Sequence, residues 1–251
     1  MNSGHNEMQS IRVAVVQSAP WGWTDASGTP RGSIVEGARR LVSHVAPDLP
    51  IKFILAPLER VTHLMTTGEA DLSYSLNDPR LSEGAVKVAN LGDFHMEVWR
   101  LPSQSEPQPF TIEELRGAKV GIAIKALQQT NVLEHSQVVA LSRPNRLLQI
   151  MMAGRIDAVM EFDVLLNYSA AQIGLQRRDF DILQTQALTA FIWMSKKSPL
   201  IDARQLWAEA AAAIGADQHF QESTRKSNYR ARQQYAATQT SHKLGSALIE
   251  N

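Results

Sequence analysis

The sequence predicts an α/β fold in two lobes, each a mixed, mostly parallel sheet flanked by helices. Three observations predict it. The first is a phrase that occurs twice: Leu64–Ser75 reads L-M-T-T-G-E-A-D-L-S-Y-S, and Ile150–Asp163 reads I-M-M-A-G-R-I-D-A-V-M-E-F-D. Each is the apolar end of a helix, a Gly suited to the left-handed position that stops it, two residues, an Asp and then a strand. The second is the order β-α-β-α-β between Ile11 and Leu76, which argues for parallel strands with helices on the sheet faces. The third is the proline-rich run Pro102–Pro109, after which the same alternation restarts.

Taken in order, Ile11–Val16 is short and β-branched, a buried strand. It runs into a loop, Ser18–Gly28, set by its Pro, Gly, Asp and Ser content. Ile34, Ala38, Leu41, Val42 and Val45 recur at helical spacing. Ile51, Phe53 and Leu55 alternate as a strand, Pro57 opens a helix that Gly68 ends, and Leu72, Tyr74 and Leu76 alternate again. Residues 77–95 read as loop-rich, with a brief alternation at Val86 and Val88, and Met96–Leu101 reads as a strand.

After the linker, Thr111-Ile-Glu-Glu114 is a capping box before a short helix that Gly117 ends. Strands are expected at Val120–Ile124, Val138–Leu141 and Asp157–Met160, with helices around Leu127–His135, Asn145–Met152 and Val164–Ile173. Phe180–Leu183 and Leu188–Met194 are two further strand candidates. Asp202 is expected to cap a helix bearing Leu206, Trp207, Ala210 and Ala213, ended by Gly215, and residues 219–235 form one more helix. Residues 1–10 and 236–251 are polar and are expected to be flexible termini.

Composition narrows the function. The 251 residues, 44% of them apolar, suffice for two lobes with real cores. Lys plus Arg equals Asp plus Glu at 25 each, which leaves no basic field for a phosphate backbone, so nucleic acid is excluded as a partner. No window approaches the roughly 20 apolar residues of a membrane span. Residues 1–10 lack the apolar core of a signal peptide. The expectation is a periplasmic protein whose export signal has been removed, with a cytoplasmic location as the alternative. The absence of Cys excludes thiolate metal sites and Cys nucleophiles. The seven His include no pair at i, i+4 spacing, so neither a metal nor any other cofactor is expected.

With the order of elements in view, the chain resembles the type II periplasmic solute-binding proteins, the family-3 or polar-amino-acid branch of ABC-transporter receptors. The resemblance covers about residues 11–235. It rests on the first strand with its aromatic loop, Gly28 and Gly32; on Leu64–Asp71; and on Thr111–Ile122. It rests further on Ala153–Val159 and on Met194–Leu200 before an Ala-rich helix. It implies two hinge crossings, near Leu101–Gln108 and Gln184–Thr189. Lobe one would hold residues 11–100 and 190–235, and lobe two residues 101–189.

In parallel sheets ligands lie beyond the carboxyl ends of the strands, where helix N-termini point. After the first strand that rule selects Trp21 and Trp23, which could stack on a ligand or pack within the lobe. After Asp71–Leu76 it selects Ser75, Asn77 and Arg80, an Arg that can fork two donors onto a carboxylate. Arg60, at a helix N-terminus, is a poor structural cation and a further candidate. In lobe two, Gln128 and Thr130 follow the strand Val120–Ile124, and Glu161 and Phe162 end the second repeat. The resemblance implies that Arg80 holds a ligand carboxylate and that an Asp near Phe162 pairs with a ligand ammonium. Here that position is Phe162 itself, flanked by Glu161 and Asp163, so the ammonium partner is either displaced or missing. Asp163 has a rival role as a helix N-cap. Asp71 and Asp157 read as structural turn carboxylates.

Three functions compete. The first is a receptor that closes two lobes over a small polar ligand, an amino acid or a related small acid or amine, and works with an ABC permease. The second is the ligand domain of a sensor or regulator. The third is an enzyme like the cyclohexadienyl dehydratases, with Glu161 or Asp163 as general acid. No P-loop or G-x-S-x-G is present, and the expectation is a non-enzyme without catalytic residues.

Overall fold

The computed structural model describes residues 9–103, 106–123, 133–141 and 146–226. They fall into two compact units. Unit 1 takes the chain up to Asp93 together with Leu188–Thr224, and unit 2 takes Phe94–Ala187 with Arg225 and Lys226.

In unit 1 the β-branched run Ile11–Val16 forms β1. It pairs in parallel with β4 (Ile51–Ala56) on one side and β5 (Leu72–Leu76) on the other. The end of β10 (Asp181–Ser195) then lies antiparallel on β5, with Ala190 opposite Leu76 and Met194 opposite Leu72. A two-residue ribbon, β2 (Trp23–Thr24) with β3 (Pro30–Arg31), precedes α1 (Ser33–Val45). α1 packs on β1, β4 and α6 (Arg204–Ala213), and α2 (Leu58–Thr67) packs on β1, β4, β5 and α3 (Pro79–Gly84). Val61, Leu64, Met65 and Leu81 bury there with Ala14 and Trp193. Each such side chain contributes about 1.5–3 kcal/mol when fully buried.

Unit 2 has the same plan. β7 (Lys119–Ile122) is central, with β8 (Gln137–Ala140) and β9 (Ala158–Phe162) parallel on either side. The end of β6 (Ala85–Arg100) lies antiparallel on β9, pairing Met96 with Phe162 and Arg100 with Ala158. α4 (Leu147–Met152) and α5 (Asp163–Gln172) cover β9, and Leu147, Met151, Leu166 and Ala170 meet Trp99 and Val159. Each unit is therefore a mixed, mostly parallel sheet flanked by helices.

Several expectations are corrected. Residues 85–95 are strand: β6 runs for 16 residues, although Lys87, Asn90 and Gly92 interrupt its apolar pattern. The two compact units divide within this strand, between Asp93 and Phe94. The two strand candidates near Phe180 and Leu188 are one strand, β10. Asp202 is no cap; it lies in a 3-10 turn, Ile201–Ala203, and Ala203 precedes α6. Asp163 is likewise the first helical residue of α5, with Phe162 in the cap position. The Thr111–Glu114 capping box is formed, on a 3-10 turn. Residues 216–226 are helical. The expected helix at Leu127–His135 falls largely outside the described residues, as do residues 1–8 and 227–251.

Candidate functional site

β1, β4 and β5 run parallel, so the segments leaving their carboxyl ends emerge at one edge of unit 1. Trp21 follows β1. Its N–H donates to the Ser18 carbonyl (2.8 Å), its own carbonyl accepts the Ile34 N–H (3.0 Å), and only 8% of the residue is exposed. These bonds tether the aromatic loop to the start of α1. Trp23 is half-buried opposite Arg31 on the β2–β3 ribbon. The ribbon's turn is organised by Asp25, which accepts from Ser27, Thr29 and Arg31. The Ser27 hydroxyl, then Arg31, hold its carboxyl well below the usual range.

Arg60, in the first turn of α2, is half-exposed and donates to Glu69 Oε2 (2.9 Å). Beyond β5 the chain turns into α3. Ser75 is buried, and its carbonyl accepts the Trp193 indole N–H (3.2 Å). Asn77 is exposed, with its N–H on the Thr189 carbonyl. Asp78 caps α3 by accepting the Arg80 N–H (2.9 Å), and Pro79 fills the first helical position, where no donor is lost. The Arg80 guanidinium forks onto the same Asp78 carboxylate, Nη2 to Oδ2 at 2.7 Å. Burial pushes the Asp78 carboxyl up, but the bonds from Arg80 outweigh it and leave the group lower than usual. Thus Arg80 stands at the strand edge with its fork engaged by a neighbour two residues away.

In unit 2, Glu161 and Phe162 end β9. Glu161 is 1% exposed; its Oε1 accepts the Phe162 N–H (3.0 Å) and its Oε2 has no partner. Burial pushes its carboxyl up to about 8. Directly opposite on β6 lies Glu97, also buried. Glu97 is satisfied: Trp99 Nε1–H donates to Oε2 (2.7 Å) and Arg177 Nη2 to Oε1 (2.7 Å). Asp163 follows with an unpartnered buried Oδ1, and burial raises its carboxyl too, Glu97 adding to the rise. Gln128 and Thr130 lie outside the described residues. Among the described residues no group of three or more His, Cys, Asp or Glu is placed to hold a metal ion. No described helix is long and apolar enough to cross a membrane.

No family model matches the chain, and no curated protein matches it in sequence. Solved structures match it in fold. An ancestral amino acid-binding protein, a precursor of cyclohexadienyl dehydratase, aligns at TM-score 0.68 and 14% identity, over 86% of this chain and 95% of that one. The solute receptor for L-cysteine of Neisseria gonorrhoeae aligns at TM-score 0.68 and 18% identity, over 86% and 89%. A histidine kinase sensor domain with similarity to periplasmic binding proteins aligns at TM-score 0.67 and 14% identity, over 85% and 95%. The fold is that of the type II periplasmic binding proteins.

Within this type II fold the two Gly-x-x-Asp phrases are scaffold, and they do the same job twice. Asp71 exchanges bonds with Arg12 at the start of β1: the Asp71 N–H donates to the Arg12 carbonyl, and the carboxylate accepts the Arg12 N–H. Asp157 does the same with Lys119 at the start of β7. Each Asp thereby fixes the entry of its unit's central strand against the incoming third strand. Sequence reasoning missed Glu97 and Arg177. An ionisable residue flanked by apolar ones in E-V-W marks Glu97 as unusual, but strand order alone places it opposite Glu161.

Proposed function

We propose that this chain is a receptor for a small polar solute, an amino acid or a related small acid or amine. In this reading it takes up the solute by the hinge closure that the resemblance implies, and it works outside the cytoplasm with an ABC permease. The observation that carries the reading is the fold match over 86% of the chain to an amino acid-binding protein and to a solute receptor. Trp23, Asn77 and Arg80 of unit 1 and Glu161 and Phe162 of unit 2 are the proposed contacts. Arg80 would exchange Asp78 for a ligand carboxylate, since the same planar fork fits both.

Isothermal titration against amino acids, small acids and amines tests this. Saturable 1:1 binding, weakened tenfold or more by Arg80→Lys, supports it. Absence of heat and of any thermal shift across such a library overturns it. A second reading, the ligand domain of a sensor, is favoured by the match to a kinase sensor domain. The two share the ligand and part at the partner, a permease in one and a signalling output in the other. Turnover of a cyclohexadienyl acid, lost in Glu161→Gln, would replace both with an enzyme.

A further inference from the structure

At the β9–α5 junction of unit 2 the buried carboxyl groups of Glu161 and Asp163 lie beside Glu97, whose carboxylate is bound by Arg177. Glu97 and Glu161 are directly opposed on adjacent antiparallel strands, which places their side chains on one face of the sheet. Asp163 begins the helix that follows. The charged and titratable groups of this junction are Glu97, opposite Glu161 on β6, His95 beside Asp163, Asp163 itself at the start of α5, and Arg177 of the 3-10 turn Arg177–Asp179, which binds Glu97. Arg177 reaches Glu97, with Nε on Oε2 and Nη2 on Oε1. The Glu161 Oε2 and the Asp163 Oδ1 are buried without a hydrogen-bond partner. Two buried carboxylates beside a third, with one guanidinium engaged elsewhere, cannot all remain charged, because an unpaired buried charge costs far more than a protonated acid.

We propose that Glu161 holds a proton in the folded protein at neutral pH, and that losing it loosens the β9–α5 junction, which makes the junction a latch operated by protons. Burial alone accounts for the direction, since it pushes Glu161 up to about 8. The Phe162 N–H bond to Glu161 pulls the other way and is the one backbone contact that the charged form would strengthen. When Glu161 ionises, its new charge faces Glu97 across the strand pair and Asp163 two residues on. Like charges at these positions push the β6–β9 ladder and the first turn of α5 apart. The latch is a property of the unliganded chain, and its test needs no solute.

Carbon-detected NMR of the full 13C-labelled chain reads the Glu161 carboxyl directly between pH 5 and 9.5. Amide exchange, corrected for its intrinsic pH dependence, reads the junction at residues 163–166. The expected result is a Glu161 midpoint at or above neutral pH and a tenfold or greater loss of protection between pH 6 and 9. In Glu161→Gln that loss is absent. A Glu161 midpoint in the ordinary carboxylate range, or protection that stays constant with pH in the wild type, overturns the proposal. If Glu161→Gln does not fold, Arg177→Gln decides: removing the cation moves the loosening to higher pH, and an unmoved or lower midpoint overturns the latch.

Discussion

Asp71 and Asp157 occupy equivalent places in the two repeats, yet they carry different loads. Asp71 is fully buried, with Arg12 Nη2 on Oδ1 (2.8 Å), Arg12 Nε on Oδ2 (2.9 Å) and the Ser198 hydroxyl on Oδ1 (2.8 Å). Asp157 is exposed and accepts the Lys119 N–H (2.7 Å). Asp71→Ala strands the Arg12 guanidinium and the Ser198 hydroxyl, and is expected to destabilise by about 3–5 kcal/mol. Asp157→Ala is expected to destabilise by about 1 kcal/mol. Urea unfolding of the two variants checks the ranking, and equal losses would contradict it. Glu161 gives a second residue-scale prediction. Its folded carboxyl holds its proton more tightly than the unfolded chain does, so folding takes up a proton between the ordinary carboxylate value and about 8. Stability from this group is intact at low pH, falls as pH rises through that window, and is fully lost above it. Glu161→Gln is therefore expected to match the wild type near pH 4 and to exceed its stability at pH 8, by an amount on the order of a few kcal/mol. The two Asp roles were legible in the sequence as turn carboxylates. The Glu97–Glu161 opposition was not, because which strands become neighbours depends on the return of β6, a long-range event with no local signature.

At the scale of the element, periodicity in the chain indicated β1, α1, β4, α2 and β5 within a residue or two, because each buries one clear face. β6 and β10 escaped that reading. Both carry polar interruptions, Lys87, Asn90 and Gly92 in one and Gln184–Gln186 in the other, which break the apolar alternation inside a longer strand. α3 was missed although Asp78-Pro79 is a sound start signal, because six residues are too few to show a helical period. The helix stops make a prediction of their own. Gly68 and Gly154 both take positive φ, +82° and +67°. A Cβ on Gly68 would lie 2.7 Å from Lys197 Cβ, whereas one on Gly154 meets nothing within 4 Å. Both Ala variants bear the left-handed penalty of about 1 kcal/mol, and Gly68→Ala adds a steric contact. Thermal unfolding should therefore fall further for Gly68→Ala than for Gly154→Ala, and Gly154→Asn should recover part of its loss.

For the whole molecule, the solute-receptor reading makes a prediction that does not require the ligand's name in advance. A bound solute at one hundred times its Kd adds about 2.7 kcal/mol, which for a chain of this length raises Tm by roughly 5–10 °C. Differential scanning across a solute library reads that rise, and with the role proposed for Arg80, Arg80→Lys should blunt it without lowering the Tm of the free protein. The fold class and the twofold repeat were visible from sequence because they rest on local order repeated along the chain. The site was less so. Arg80 and Arg60 read as candidate ligand contacts, and the sequence did not show that Asp78 and Glu69 would pair with them in the folded chain.

One feature of the chain's path bears on how it is made. β5 is flanked by β1 from the start, but its other side is covered only by Ala190–Met194 at the far end of β10. A ribosome delivers Phe94–Ala187 before those residues, so the first-born body must wait, with an open strand edge, while the second is synthesised. An uncovered edge invites pairing with a stranger. Nascent chains stalled before Leu188 should therefore recruit chaperones or aggregate, and those released beyond Thr224 should not.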